Sequence, residues 1–217
     1  MVISSSTDVQ THWYGEEGDP LIVLMHDFMG RLAWAEALAK RCAASGFRVA
    51  VPDFYAGRSS TDPDDARALM TERLRDLSGV SQQLQEIIGE ARAMGSEHVA
   101  LVGFSMGTRL ATAYAAEHPG VDAVVGYYGS PNDPAAHIRV PVLFQLGSDD
   151  VDGSGQSDAH TLQREMQEQG FDGIEIEVFA DARHGFQNEQ NPEKFSQAAS
   201  DRAFARTIEF LRVPREG

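Results

Sequence analysis

The chain has 217 residues, with 18 Lys or Arg against 33 Asp or Glu, and its formal net charge is -15 at pH 7. This surplus of negative charge excludes nucleic acid as a partner, because proteins that bind phosphate backbones need clustered basic residues. The sequence has no run of about 18 apolar residues that could cross a membrane, and its first residues do not read as a secretory signal. We therefore expect a cytoplasmic protein.

Cysteine and metal-binding patterns exclude further classes of protein. The only cysteine, Cys42, rules out an internal disulfide, and its place on the apolar side of a predicted helix is typical of a small buried filler. Neither a C-x-x-C pair nor an H-E-x-x-H helix is present, so the sequence gives no support for a metal site. At this length we expect one α/β domain over residues 1–217, as a monomer or a small homo-oligomer.

Apolar runs of strand length alternate along the chain with amphipathic stretches of helix length, which is typical of parallel strands joined by crossover helices. An opening antiparallel strand is expected around residues 9–14. The further strands are predicted at 21–26, 48–54, 98–104, 122–128, 141–147 and 174–179. Helices are predicted at 32–45, at 63–94 with a break near Ser78-Gly79, and at 106–118, 156–169 and 193–212.

The composition of the strands predicts the layers around the sheet. Most of them are nearly continuous apolar runs, which indicates burial on both faces. We therefore expect an α/β fold in three layers, with a mostly parallel sheet between helices on both sides. Residues 174–179 read Ile-Glu-Ile-Glu-Val-Phe, in which apolar and acidic side chains alternate. This pattern favours a position near an edge of the sheet.

A candidate nucleophile lies where the predicted strand 98–104 meets the next helix. Residues Gly103-Phe104-Ser105-Met106-Gly107 match G-x-S-x-G, the turn that exposes a catalytic serine at the top of a parallel sheet. Such a sharp turn leaves little room for a Cβ, which accounts for the flanking glycines. The motif and its position between strand and helix together predict Ser105 as a nucleophile.

Partners for this serine follow the last two predicted strands. Ligands bind parallel sheets outside the carboxyl ends of the strands, so the loops there should carry further chemical groups. One loop holds Asp149, Asp150 and Asp152, and the next holds His184. Serine, acid and histidine follow one another in the chain order of an α/β-hydrolase triad. His184 would act as a general base, and one of the three aspartates would orient its imidazole.

The oxyanion of an acyl-transfer reaction needs two convergent N–H donors. The backbone N–H groups of Met106, which follows the serine, and of Phe28, in the loop after the first parallel strand, are the candidates. His26 precedes that loop, and we expect it to be a packed side chain bonded to the loop backbone rather than a base.

Six segments of the chain resemble the dienelactone hydrolase family of α/β-hydrolases. They are I-V-L-M-H-D-F-M-G, A-V-P-D-F-Y-A-G-R, V-G-F-S-M-G, A-V-V-G-Y-Y-G, L-G-S-D-D and A-R-H-G-F. Their order and spacing extend the resemblance over nearly the whole chain. The resemblance implies a compact, lidless fold that hydrolyses an ester or a lactone without a cofactor. It also implies Asp150 as the triad acid, because in that family the acid lies three residues after the glycine that ends its strand.

The chain departs from the pattern that this resemblance implies. The family's best-known members carry cysteine where this chain has Ser105 and glutamate where it has Asp27. They hold a substrate carboxylate with two arginines, and the matching positions here are Arg58, displaced by one residue, and the uncharged Asn188. We therefore predict an ordinary serine hydrolase that relies on His184 alone as its base.

The predicted substrate is a small carboxylic ester or lactone, with neutral esters cleaved at least as well as lactones that bear a carboxylate. We expect Asp27, Arg58 and Tyr127, together with the loop 55–61, to line the substrate pocket. A thioesterase or general carboxylesterase with the same triad is one alternative. A hydrolase-fold binding protein with a silent triad is the alternative from another class.

Arg58 also has an alternative interpretation. Acidic residues follow it closely in sequence, and a surface ion pair would occupy its guanidinium without any substrate. Its predicted partners in that case are Asp62, Asp64 and Asp65.

Overall fold

Seven strands form one sheet in the computed structural model, which describes residues 11–131, 137–151 and 155–212. The strands are β1 (Thr11–Tyr14), β2 (Leu21–Met25), β3 (Arg48–Pro52), β4 (Val99–Phe104), β5 (Ala123–Tyr127), β6 (Val142–Gly147) and β7 (Ile174–Phe179). Their order across the sheet is β1-β3-β2-β4-β5-β6-β7. β1 runs antiparallel to β3, and the other neighbours are parallel. The predicted strands are confirmed, including the antiparallel one that opens the sheet.

The burial of the strands follows their position in the sheet. Every residue of β2, β3, β4, β5 and β6 is buried, as near-continuous apolar runs predict for strands covered on both faces. The edge strand β7 exposes Glu175 and Val178, so the edge position predicted from its alternation is confirmed.

Helices cover both faces of the sheet. They are α1 (Ala33–Ala43), α2 (Pro63–Leu74), α3 (Leu77–Ala93), α4 (Met106–Glu117), α5 (Gly155–Glu168) and α6 (Gln197–Arg212). Apolar side chains of α1 and α6 pack on one face, and those of α3, α4 and α5 pack on the other. The three-layer α/β architecture is therefore confirmed. None of the helices in the described ranges combines the length and apolar character that crossing a bilayer requires.

Two helix boundaries differ from the prediction. The break expected near Ser78-Gly79 falls earlier, between Leu74 and Leu77, because Asp76 caps α3 by accepting the Gly79 N–H at 2.9 Å. The last helix begins at Gln197, four residues later than predicted. The preceding segment from residue 184 onward is instead closed into successive hydrogen-bonded turns.

Cys42 lies on the buried side of α1, as predicted. Its side chain is 3% exposed within the apolar cluster between α1, α6 and the sheet. Burial raises the pKa of its thiol to about 12, so the thiolate is strongly disfavoured. Cys42 therefore acts as a small apolar filler.

Candidate active site

Ser105 occupies the turn between β4 and α4. Its backbone has φ 51° and ψ -109°, a conformation that a residue with a side chain rarely adopts. A Cβ on Gly103 would overlap the backbone of Gly107, and a Cβ on Gly107 would overlap the carbonyl oxygen of Met25. The glycines on either side are thus sterically required, because α4 starts in direct contact with the strands beneath it.

A line of hydrogen bonds connects Ser105, His184 and Asp150. The Ser105 hydroxyl lies 2.8 Å from His184 Nε2, and His184 Nδ1 lies 3.0 Å from Asp150 Oδ2. With its proton on Nδ1, the imidazole donates to Asp150 and can accept the proton of the serine hydroxyl. The side chain of Asp150 is only 4% exposed and that of His184 is 19% exposed. Limited access of water strengthens these polar contacts.

The pairing of β6 with β7 brings the acid and the histidine together. These neighbouring parallel strands end at the same edge of the sheet, and the Asp149 N–H donates to the Ala182 carbonyl oxygen at 2.9 Å. Gly147 approaches the same carbonyl so closely that a Cβ would overlap it. The loops that carry Asp150 and His184 are therefore joined through their backbones.

The three candidate acids have different surroundings. Asp150, the acid that the family resemblance implied, has its Oδ2 3.0 Å from His184 Nδ1. Asp149 is exposed and accepts a hydrogen bond from the Ser148 hydroxyl at 2.9 Å. Asp152 lies outside the described residues.

The candidate oxyanion donors lie in adjacent loops. β2 and β4 pair as far as Met25 and Gly103, so the loops that follow them are neighbours. Met106 is the first residue of α4, so its N–H has no acceptor within the helix. Phe28 lies in the loop after β2 and lines the same cleft as Ser105.

A cleft of about 690 Å³ opens over Ser105 and His184. This volume is in the range of sites for small organic ligands. Its apolar lining includes Phe28, Met29, Pro63, Met70 and Tyr128, and its polar lining includes Asp27, Thr61, Arg67, Asn188 and Lys194. Among the described residues no group of His, Cys, Asp and Glu side chains has the arrangement of a metal site.

Comparison with known proteins identifies the family. The sequence profile of the dienelactone hydrolase family matches residues 10–213. The chain belongs to the dienelactone hydrolase family.

Two relatives and one solved structure resemble this dienelactone hydrolase family member at low sequence identity. A protein of Aquifex aeolicus named "Putative carboxymethylenebutenolidase" is 28% identical over 205 residues, covering 89% of this chain and 88% of that protein. Protein usf of Aquifex pyrophilus is 26% identical over 206 residues, covering 90% of this chain and 88% of the relative. The crystal structure of a dienelactone hydrolase-like promiscuous phosphotriesterase from metagenomic libraries has a TM-score of 0.80 at 17% identity, covering 95% of this chain and 94% of the other. That likeness shows a shared fold.

Tyr127 does not line the cleft of this family member, contrary to expectation. It is 1% exposed on the face of the sheet covered by α6, where its hydroxyl lies 2.7 Å from Thr207 Oγ1 and donates to the Ala203 carbonyl oxygen at 3.2 Å. Burial raises its pKa. Successive residues of a strand face opposite sides of the sheet, and Tyr127, the last residue of β5, faces away from Ser105.

Tyr128 takes the place that was predicted for its neighbour. Its backbone turns to φ 37°, and its ring lines the cleft with its centroid 5.2 Å from that of His184. The hydroxyl is buried without a hydrogen-bond partner among the described residues. Strand alternation could have placed Tyr127 on the far face of the sheet, but it gives no direction for Tyr128, which lies after the strand ends.

Arg58 is also absent from the cleft lining. Its side chain is 53% exposed and forms a bidentate pair with Glu72 of α2, at 3.0 and 2.8 Å. The alternative prediction that Arg58 forms a surface ion pair is thus confirmed. Its partner is Glu72 of α2, however, and not one of the predicted aspartates. From the loop 55–61, Thr61 reaches the cleft. Sequence reasoning missed Arg67 and Lys194, cationic residues that line it within the part of the chain that the structure describes.

Asp27 lies in the cleft wall but is nearly inaccessible. The residue is 4% exposed, and burial raises the pKa of its carboxyl to about 6. His26 beside it is fully buried, donates from Nδ1 to the Asp27 carbonyl oxygen at 2.6 Å and accepts the Phe54 N–H at 3.2 Å. Burial lowers the pKa of His26 to about 4, so it is neutral and packed against the loop backbone, as expected.

Proposed function

We propose that this chain is a serine hydrolase that cleaves a small, neutral carboxylic ester or lactone through an acyl-enzyme at Ser105. The observation that carries the proposal is the line of hydrogen bonds from Ser105 through His184 to Asp150. A serine hydroxyl is a weak nucleophile until an adjacent base removes its proton, and that base needs an acid to hold its tautomer.

In the acylation step, Ser105 Oγ attacks the carbonyl carbon of the substrate while its proton moves to His184 Nε2. Asp150 stabilises the resulting imidazolium through the Nδ1–H bond. The carbonyl π electrons move to oxygen, and the N–H groups of Met106 and Phe28 donate to this oxyanion. When the tetrahedral intermediate collapses, the bond to the leaving oxygen breaks and His184 returns the proton to that oxygen.

In the deacylation step, a water molecule replaces the departed alcohol. His184 removes a proton from the water as its oxygen attacks the acyl carbon, and the same two N–H groups stabilise the second oxyanion. Collapse breaks the bond to Ser105 Oγ, which regains the proton from His184, and the carboxylic acid leaves. For a lactone, the alcohol and the acid are parts of one ring-opened product.

Family membership and the cleft support an ester or a lactone as the substrate. The relative from Aquifex aeolicus is named "Putative carboxymethylenebutenolidase", and the cleft of about 690 Å³ over Ser105 is large enough for a small organic molecule. Neutral esters are favoured because neither position where the family resemblance implied a carboxylate-binding arginine supplies one to the cleft: Asn188 is uncharged, and Arg58 pairs with Glu72. Arg67 and Lys194 also line the cleft, so a preference for acidic substrates would have to come from them. A thioester would react with the same triad, so only the measured rates of hydrolysis distinguish a thioesterase from an esterase.

Replacement of the candidate nucleophile tests the mechanism. Ser105→Ala should abolish both ester hydrolysis and covalent labelling by a fluorophosphonate, because Ser105 Oγ is the hydroxyl oxygen that lies 2.8 Å from His184 Nε2. His184→Ala should lower kcat nearly as much, by a factor of about 10⁴ to 10⁶, since triad members act as a unit. Intact-mass spectrometry, steady-state kinetics with a neutral aryl ester and thermal denaturation provide the three measurements.

Ser45→Ala is the matched control, because Ser45 donates to the Arg41 carbonyl oxygen at the end of α1 and has no part in the cleft. It should label and turn over like the parent. Labelling that persists in folded Ser105→Ala would contradict the assignment of the nucleophile. A parent protein that neither labels nor hydrolyses esters, thioesters or lactones would favour a binding protein with a silent triad.

A further inference from the structure

Asp27 and Asn188 form a buried hydrogen bond beside the candidate catalytic groups. Asn188 is 2% exposed, and its Nδ2 donates to Asp27 Oδ2 at 3.3 Å. The other end of the same side chain, Oδ1, accepts the Gln190 N–H at 3.0 Å, and the Asn188 N–H donates to the Gly185 carbonyl oxygen at 2.9 Å. The amide is thus held in one orientation within the loop that carries His184.

The second carboxylate oxygen of Asp27 organises the loop after β2. Oδ1 accepts the Met29 N–H at 2.9 Å, and the Asp27 carbonyl oxygen accepts the Gly30 N–H at 3.2 Å. Phe28 lies within this turn. It follows Asp27, which accepts the two hydrogen bonds, and precedes Met29 and Gly30, which donate them. The direction of the Phe28 N–H therefore depends on where Asp27 is held.

We propose that Asp27 is a positioning residue whose buried hydrogen bond to Asn188 holds the Phe28 N–H toward the oxyanion. This inference rests on the proposed serine hydrolase function, for which Phe28 is one of two oxyanion donors. The Asp27–Asn188 bond connects the loop of the oxyanion donor to the loop of the general base. Asp27 itself is nearly inaccessible, so we assign its effect to the backbone of Phe28 rather than to contact with substrate.

The ionised form of Asp27 fits its hydrogen-bond donors. A carboxylate accepts from both Met29 and Asn188, whereas a protonated carboxyl group directs one O–H at a donor. Burial raises the pKa of Asp27 to about 6, so this fit is present near neutral pH and is lost below about pH 6.

Titratable groups face Asp27 from several neighbouring elements. They are His184 from the loop after β7, Tyr55 from the loop after β3, Tyr128 from the loop after β5 and His26 from its own loop. Burial raises the pKa of both tyrosines and lowers that of His26 to about 4. These three groups are therefore neutral between pH 5 and 8 and add no change of charge beside Asp27 in that range.

An N–H that donates to a forming oxyanion acts mainly in the transition state. Misplacing it should lower kcat and leave KM nearly unchanged. The experiment measures kcat and KM for a neutral aryl ester from pH 5 to 9 in the parent, Asp27→Asn, Asn188→Ala and the double variant. Thermal denaturation is followed at each pH.

Asp27→Asn keeps an acceptor for the Met29 N–H but turns an NH2 group toward the NH2 of Asn188. At pH 8 its kcat should fall about 10- to 100-fold, less than the effect of removing an oxyanion donor outright, with KM within about threefold. Asn188→Ala should have a similar effect. The double variant should be no worse than Asp27→Asn, because both changes break the same bond.

Two pH readouts separate positioning from general damage. The ratio of parent kcat to Asp27→Asn kcat should be large at pH 8 and shrink toward one below about pH 6, where the parent carboxyl is protonated. His184 is present in both proteins, so its contribution to kcat cancels in this ratio. The folding stability of the parent should instead be greater at low pH than at high pH. The raised pKa means that the folded state binds the proton more tightly, so parent stability falls as pH rises through 6, and Asp27→Asn removes that decline.

Asp122→Asn is the matched control. Asp122 Oδ2 accepts the Val99 N–H at 2.7 Å at the opposite end of the sheet, so Asp122→Asn makes the same carboxylate-to-amide change at a backbone contact far from Ser105 and should leave kcat unchanged. An active parent whose kcat is unaffected by Asp27→Asn and Asn188→Ala would overturn the inference, as would purely additive losses or a change in KM alone. A parent that neither turns over nor labels at Ser105 would remove the proposed function instead.

Discussion

Asp149 and Asp150 are adjacent in the chain, yet one carboxylate faces solvent and the other faces His184. Asp150→Asn should lower kcat by about 10⁴-fold, because an amide in this position favours the wrong imidazole tautomer and does not stabilise the imidazolium. Asp149→Asn should leave kcat nearly unchanged, since its carboxylate contacts Ser148 instead. Steady-state kinetics on both variants check the prediction.

The two aspartate variants control for each other, because they make the same change one residue apart in one loop. Equal thermal stability of the pair would show that a difference in kcat comes from the contact with His184. A larger loss in Asp149→Asn would mean that the loop after β6 places the wrong carboxylate on the imidazole.

At the scale of secondary-structure elements, the site depends on how closely α4 approaches β2. A Cβ on Gly107 would overlap the carbonyl oxygen of Met25 and crowd that of His26, and backbone atoms in a central strand cannot move aside. Gly107→Ala should therefore displace α4, with a loss of about 1–3 kcal/mol of unfolding free energy and a large loss of kcat. Chemical denaturation and ester kinetics measure the two effects.

Gly89→Ala provides the comparison within a helix. Gly89 lies in α3, where an added Cβ would meet no atom within 4 Å, so alanine should stabilise the protein by roughly 0.5–1 kcal/mol through helix propensity. Gly107→Ala with parent-like stability and kcat would show that α4 does not need this close approach.

At the scale of the whole molecule, the formal net charge of -15 opposes the approach of anions. We predict that neutral small esters have a kcat/KM at least as high as that of a dienelactone that bears a carboxylate. The value for the acidic lactone should rise with ionic strength, because salt screens the repulsion. Kinetics with both substrates at low and high salt measure this difference.

Two arginine variants identify the source of any preference for acidic substrates. Arg67 lines the cleft, so Arg67→Ala should lower kcat/KM for the acidic lactone alone. Arg58→Ala removes an arginine that pairs with Glu72 and should affect neither substrate. A marked preference for the acidic lactone that collapses in Arg58→Ala would contradict the neutral-ester prediction and assign that arginine to carboxylate binding.

The sequence by itself determined the strands, their parallel arrangement, the edge position of β7 and the burial of Cys42. These features depend on apolar patterns within short segments, which are local properties of the chain. The same patterns indicated that the loops holding Ser105, the aspartates and His184 would meet, because the carboxyl ends of parallel strands share one edge.

Only the tertiary structure decided which side chains face one another within that edge. Tyr128 enters the cleft in place of Tyr127 because the chain turns to positive φ directly after β5. Arg58 leaves the cleft because α2 places Glu72 beside it. The Asp27–Asn188 bond joins residues 161 positions apart, and no local pattern encodes so distant a contact. Side-chain direction depends on packing between elements, and that packing is decided only when the layers are assembled.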